Sequence, residues 1–184
     1  MPYSYTHFDR LSQGFLKSHL PTSTRILDVG AGAGKYSKLL NEYTLDCIEV
    51  FKPYIEQLNL KERYRHIYTC HVSDFDFLKH QYDTVIFGDV LEHLSIHEAQ
   101  QVLKQIFLSG GRAFVAVPYQ YQQDTIEDNP YERHLQPDLT PAIVAERYPR
   151  LHLLHMDEKY GLYTGPTNWI DTKPQIKSLD KAIN

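Results

Sequence analysis

Cysteine is scarce: Cys47 and Cys70 are the only two in 184 residues. A multi-bridge disulfide scaffold is therefore excluded. Both thiols fall in segments that read as strands, and two small buried thiols are the expected arrangement. Long apolar runs are missing as well. No stretch approaches the roughly 20 residues needed to cross a bilayer. Met1-Pro2-Tyr3-Ser4-Tyr5-Thr6-His7 lacks the basic-then-apolar pattern of a signal peptide. The expected chain is soluble and cytoplasmic, with no membrane partner. There is no basic excess, with 19 Lys and Arg against 23 Asp and Glu and a net charge of -4. That removes the phosphate-neutralising surface that a nucleic-acid partner requires. Repeats and low-complexity segments are also absent, and a chain of this length supplies one core rather than two. One domain over residues 1–184 is expected: an N-terminal helix and lid (1–24), an α/β core (25–166) and a polar tail (167–184) carrying Lys173, Lys177 and Lys181.

Tyrosine, by contrast, is abundant, with 14 residues. Tyr3, Tyr5, Tyr119, Tyr121, Tyr131, Tyr160 and Tyr163 fall outside the core pattern. Two readings stay open for them: half-buried surface residues, or the wall of an aromatic pocket. The rest of the chain alternates strand and helix. Phe8, Leu11, Phe15 and Leu16 share one face of a first helix ending near Leu20-Pro21. Strands are expected at Arg25–Val29, Leu45–Val50, His66–Val72, Asp83–Phe87 and Arg112–Pro118, with helices at Gly34–Tyr43 and Pro53–Tyr64. The fourth strand is β-branched and apolar, as in a parallel sheet covered on both faces. Ser95-Ile96-His97-Glu98 has the form of a capping box. The helix it opens buries Ala99, Val102, Leu103, Ile106 and Phe107 and stops at Gly110-Gly111. Tyr119 to Asp138 is polar and aromatic without periodicity, and a loop of that length points to function. Thr140-Pro141 opens a further helix. Leu151–Met156 and Tyr160–Thr164 read as a closing hairpin. The fold class is α/β: a doubly wound, mostly parallel sheet with a C-terminal antiparallel hairpin at its edge. Ligands on such sheets sit outside the carboxyl ends of the strands.

The richest local signal is Asp28-Val29-Gly30-Ala31-Gly32-Ala33-Gly34, between a strand and a helix. Glycines permit a tight turn and close ligand approach, and such a turn is expected to face a ligand with its backbone N–H groups. A dinucleotide fingerprint requires a third glycine where Lys35 stands. A P-loop requires Ser or Thr where Tyr36 stands and a glycine where Val29 stands. Both phosphate readings weaken. Glu49 closes the second strand, placed to accept bonds from ribose hydroxyls; the alternative is an exposed strand-end acid.

Ile26 to Gly34 resembles motif I of the Rossmann-like (class I) S-adenosylmethionine-dependent methyltransferases. Glu49 matches their acidic second-strand position. Tyr82-Asp83-Thr84-Val85-Ile86-Phe87-Gly88-Asp89-Val90-Leu91-Glu92-His93-Leu94 resembles the fourth-strand segment of the branch that includes ubiquinone-biosynthesis O-methyltransferases, and Gly110-Gly111-Arg112 through Pro118 their fifth. The resemblance spans about Arg25 to Pro118. It implies a cofactor site of Asp28, Gly30, Ala31, Gly32, Gly34, Glu49, Asp74, Phe75 and Asp89. Asp28 would hold the loop and the cofactor's amino group, and Asp74 and Phe75 would flank the adenine. Core packing for Phe75 and a helix cap for Asp74 stay open.

Catalytic candidates are His134, Asp89 and His93. A histidine in the loop after the fifth strand can act as a general base; the alternative is an ordinary surface or hydrogen-bonded residue. Asp89, Glu92 and His93 share a face at i, i+3 and i+4. In quinone methyltransferases such a set is associated with a divalent metal, but metal-free relatives carry Leu-Glu-His too, and no metal is assigned. The expected activity is methyl transfer to oxygen or nitrogen of a small or medium acceptor. The alternative is a scaffold that binds the cofactor without turnover. A nicotinamide oxidoreductase is disfavoured by the glycine spacing. A nucleic-acid methyltransferase is disfavoured by Gly88-Asp89-Val90-Leu91 standing where an Asn/Asp-Pro-Pro-Tyr/Phe tetrapeptide would be. Acceptor contacts must come from the N-terminal segment, from the loop Tyr119–Asp138, or from a second subunit in a homodimer. The first two are expected to form a mobile lid.

Overall fold

The computed structural model describes residues 5–126 and 128–166. The chain begins with α1 (Asp9–His19), then β1 (Ile26–Val29), α2 (Lys35–Leu39), β2 (Leu45–Ile48), α3 (Lys52–Gln57), β3 (Ile67–Tyr68) and α4 (Phe77–His80). It continues through β4 (Thr84–Gly88), α5 (Ile96–Leu108), β5 (Arg112–Pro118), α6 (Pro141–Arg147), β6 (His152–Met156) and β7 (Tyr160–Gly165). One seven-stranded sheet has the order β3-β2-β1-β4-β5-β7-β6. The first five strands run parallel; β7 is antiparallel to β5 and to β6.

The two-residue alternation of the strands builds two cores. Leu27, Val29, Val85, Phe87, Ala113, Val115 and Val117 pack on one side against α5 and α6 through Val102, Leu103, Ile106 and Val144. Ile26, Ile86, Phe114 and Ala116 pack on the other against Leu16, Tyr36, Leu40 and Ile55. A strand buried on both faces gains from both, about 1.5–3 kcal/mol for each large apolar side chain removed from water. This double burial, with helices on both faces, is the doubly wound arrangement.

The hairpin departs in one respect from a simple antiparallel edge. β7 sits inside, between β5 and β6, and the edge strand is β6. Burial explains the order: β7 is buried along its whole length, whereas β6 exposes Leu153, His155 and Met156. Other elements are shorter than the periodicity suggests. α2 spans five residues rather than reaching Tyr43, whose hydroxyl instead anchors to the carbonyl of Leu20 at 2.8 Å. α3 stops at Gln57, and Asn59 adopts a left-handed conformation before a 3-10 turn at Leu60–Glu62. β3 keeps two residues, so Cys70 lies beyond it and is half-buried rather than a strand-core thiol. Both cysteines are free. The capping box forms as read, with Ser95 and Glu98 each accepting from the other's backbone N–H. α4 is capped by Asp76, not Asp74. No helix among the described residues is long and apolar enough to cross a membrane. The expected tail lies outside the described residues, as does Tyr3.

Candidate active site

A cleft of about 1160 Å³ opens at the carboxyl ends of β1, β2, β4 and β5. Its floor is the glycine turn. Gly30, Gly32 and Gly34 all adopt left-handed backbone conformations, with φ of 64°, 47° and 67°. At Gly30 a Cβ would also lie 2.7 Å from Val90 Cγ2. Four N–H groups of this turn, however, are held within the protein. Gly30 and Ala31 donate to the carbonyl of Ile48 at 2.9 and 3.4 Å, Gly34 donates to the carbonyl of Ala31 at 2.8 Å, and Gly32 donates to Glu49 Oε2 at 3.2 Å. An anion nest needs those donors free. The expectation of outward N–H groups is therefore corrected for these four, which the carbonyls of Ile48 and Ala31 and the carboxylate of Glu49 take up.

Glu49 is buried and bridges the turn to the next helix, its Oε1 accepting from the Phe51 N–H at 2.9 Å. Burial raises its carboxyl above the usual range against the pull of those two bonds. Asp28 lies behind the turn, 2% exposed, where it accepts a short hydrogen bond from the Tyr64 hydroxyl. Burial pushes its carboxyl up to about 7 even though that hydroxyl pulls it down.

Past β4 the chain turns sharply. Asp89 takes a positive φ of 56°, unusual for a residue with a side chain. Its Oδ1 accepts from the Tyr160 hydroxyl, donated by the inserted strand β7. A 3-10 turn, Leu91–His93, follows. There the Glu92 carbonyl accepts from the N–H groups of Leu135 and Gln136 at 2.8 and 3.0 Å, which ties the post-β5 loop over the cleft. Gln136 reinforces the tie with side-chain bonds to the carbonyls of Leu91 and Leu94. The loop thereby delivers His134, 5% exposed, to His93, the rings meeting edge-to-face at 4.7 Å. His134 Nδ1 lies 2.8 Å from the carbonyl of Tyr121, and His93 Nδ1 lies 3.1 Å from that of Arg133. Burial lowers both histidines; His93, which also faces His134, falls to about 4. Glu92 moves the other way, its carboxyl raised by burial and by the nearby charge of Asp89. Glu92, His93 and His134 each bring one donor atom within 4.8 Å of the other two. The sequence groups Asp89 with Glu92 and His93; in the folded chain the third member of that cluster is His134.

The family follows from a second line of observation. A family model described as a methyltransferase domain matches residues 5–163. The chain belongs to the methyltransferase domain family. Among solved structures it is similar to the N-terminal domain of EvdMO1 with SAH bound, at 15% identity and a TM-score of 0.63, covering 89% of this chain and 82% of that one. It is also similar to the PH0226 protein of Pyrococcus horikoshii OT3, at 13% identity and a TM-score of 0.63, covering 86% and 87%. A third similar structure is the 1,6-didemethyltoxoflavin-N1-methyltransferase of Burkholderia thailandensis with 1,6-didemethyltoxoflavin and S-adenosylhomocysteine, at 18% identity and a TM-score of 0.59, covering 86% and 77%. The search of curated proteins gives no match.

In this methyltransferase domain the cleft gathers Gly30, Ala31, Gly32, Glu49, Asp89, His93 and His134 of the residues named from sequence. Asp28, Gly34, Asp74 and Phe75 lie outside it. Phe75 packs into the core against Tyr68, Phe77 and His80, and Asp74 is exposed in the turn after β3. That turn offers Cys70, His71 and Val72 to the cleft instead. Five of the seven singled-out tyrosines, Tyr5, Tyr119, Tyr121, Tyr131 and Tyr160, line the cleft, so the aromatic-wall reading describes them better. Tyr163 supports from behind through a hydroxyl contact with Tyr119. Sequence reasoning missed Tyr54, which lines the cleft and donates its hydroxyl to Glu132 at 3.2 Å, as well as Tyr64 and Gln136. No local motif marks them, and each acquires its part only through contacts more than a dozen residues apart in the chain.

Proposed function

We propose that this chain is an S-adenosylmethionine-dependent methyltransferase acting on oxygen or nitrogen of a small or medium acceptor. The observation that carries the reading is the left-handed glycine turn clamped to Glu49 at the floor of a large cleft. With four of the turn's N–H groups taken, a phosphate ligand finds few donors there, whereas an adenosyl group needs close backbone approach and a carboxylate for its ribose. Gly30, Ala31, Gly32 and Glu49 would hold the nucleoside, and Asp89, fixed by Tyr160, would face the amino-acid portion. The solved neighbours that contain SAH support this choice. When bound, the cofactor supplies an electrophilic methyl group on sulfonium sulfur. The protein's own work is to orient the acceptor, keep water out, and take a proton where the acceptor must lose one.

His134 is the base in this scheme. A carbonyl can only accept, so the Tyr121 carbonyl fixes the hydrogen on Nδ1 and leaves the Nε2 lone pair on the neutral ring. The lowered affinity of His134 for protons keeps it neutral at working pH. Asp28 acts behind the turn as a positioning residue. His134→Ala tests the scheme. Turnover should fall about 10²- to 10⁴-fold while S-adenosylhomocysteine affinity stays at the wild-type level. Wild-type turnover would remove His134 from the chemistry.

A further inference from the structure

The acceptor end of the cleft holds a polar cluster that the protein does not satisfy. Glu92 is 1% exposed, and neither of its carboxylate oxygens has a hydrogen-bond partner, beyond a pull from its own backbone N–H. Its structural task, holding the loop through Leu135 and Gln136, is done by the backbone carbonyl and leaves the side chain unused. An orphaned buried carboxyl is costly, on the order of 1–3 kcal/mol or more, and points to a polar group that is present when the site works. His134 Nε2 is a lone-pair acceptor for the reason already given, and His93 is held through Nδ1 by the Arg133 carbonyl. The cluster presents acceptors to a cation, which would also hold the Glu92 carboxyl ionised against its burial.

We infer that Glu92, with His134 and His93, receives a primary ammonium group, so that the methyl acceptor is an amine; this rests on the methyltransferase reading of the same cleft. Three features favour it. An ammonium offers three N–H donors, and tetrahedral bonds of about 2.9 Å hold their acceptors roughly 4.7 Å apart, within the 4.8 Å bound of the cluster. A zinc ion at about 2.1 Å would draw the same three atoms to roughly 3.4 Å, and zinc is the rival occupant. Asp89 and Glu132 add negative charge around Glu92. Aromatic rings of Tyr121 and Tyr131 stand in the same cleft, where a desolvated cation gains further. A hydroxyl offers a single donor, and a carboxylate offers none and is repelled. An ammonium becomes a nucleophile only after losing a proton; that proton passes from nitrogen to His134 Nε2, which leaves the lone pair on the amine.

The test is calorimetry on the full chain, with and without S-adenosylhomocysteine, using benzylamine, benzyl alcohol, benzoate and zinc chloride as probes at pH 7.5. Benzylamine should bind at least about tenfold more tightly than benzyl alcohol, since bonds to a charged group are roughly twice as strong as neutral ones. Glu92→Gln should erase that preference without changing S-adenosylhomocysteine affinity. If Glu92→Gln fails to fold, as judged by its thermal transition, His134→Gln carries the same comparison. Equal binding of amine and alcohol, a preference that survives the substitution, stoichiometric zinc binding lost in Glu92→Gln, or no binding by any probe would each overturn the inference. Amine preference without S-adenosylhomocysteine binding would leave the ammonium site and sink the cofactor reading; the reverse pattern would do the opposite.

Discussion

Asp28 and Tyr64 make a buried pair that no exposed residue could imitate. The carboxyl sits at about 7 in the folded chain against 3.8 ordinarily, because burial penalises the charged form more than the Tyr64 hydroxyl favours it. A carboxyl raised on folding contributes its stability fully below its unfolded value and loses it as pH climbs through the folded one. Wild-type stability should therefore carry a component, up to about 4 kcal/mol at 1.36 kcal/mol per pH unit, that falls between about pH 4 and pH 7. Denaturant titrations of wild type and Asp28→Asn over that range should show the variant with the shallower decline. Identical slopes would contradict the assignment. At the glycine turn, Gly32→Val places a β-branched residue at a φ of 47°, a conformation that costs on the order of 1–3 kcal/mol, and crowds the cofactor face. S-adenosylhomocysteine binding should drop below detection in a fold that still shows a cooperative transition. Retained affinity would remove the turn from the site.

At the scale of elements, the site depends on how tightly helix α2 lies on strand β4. A Cβ at Gly88 would sit 2.3 Å from the ring of Tyr36, which is buried between sheet and helix. Gly88→Ala should destabilise by about 1–3 kcal/mol through overpacking and shift Asp89, the next residue, away from Tyr160. Chemical denaturation checks the first effect, and cofactor affinity the second. This contact also shows where sequence reading stops. The five parallel strands, the capping box at Ser95, the stop at Gly110 and the cap at Thr140 were all legible, because each rests on a pattern within one turn or one strand. Helix lengths were not, since α2 and α3 end where Tyr43 and Leu60 find distant partners. The insertion of β7 between β5 and β6 follows from relative burial, which a hairpin pattern alone does not encode.

Across the whole molecule, the candidate site is assembled from segments far apart in the chain. The glycine turn and Glu49 were legible from spacing, as was the pair Glu92 and His93, whereas Asp89 gives its place in that cluster to His134. The arrival of His134 was only half legible: the length of the loop suggested function, but its docking on the Glu92 carbonyl is a tertiary event. The N-terminal segment closes the other side. Tyr5 packs on Tyr160 at 4.9 Å, and Lys35 holds this segment through the Tyr5 carbonyl and Asp9. We propose that this segment and the loop after β5 together form the mobile lid. Limited proteolysis should show both the segment before α1 and the loop between β5 and α6 protected when S-adenosylhomocysteine and an acceptor are added; unchanged cleavage would dismiss the lid. The central claim is tested most directly by titrating the full chain with S-adenosylmethionine and S-adenosylhomocysteine, with ATP and NADH as controls. Binding of the first two in about the micromolar range, with no heat from the controls, is the predicted result. Tighter binding of ATP or NADH, or silence from all four, would contradict the account.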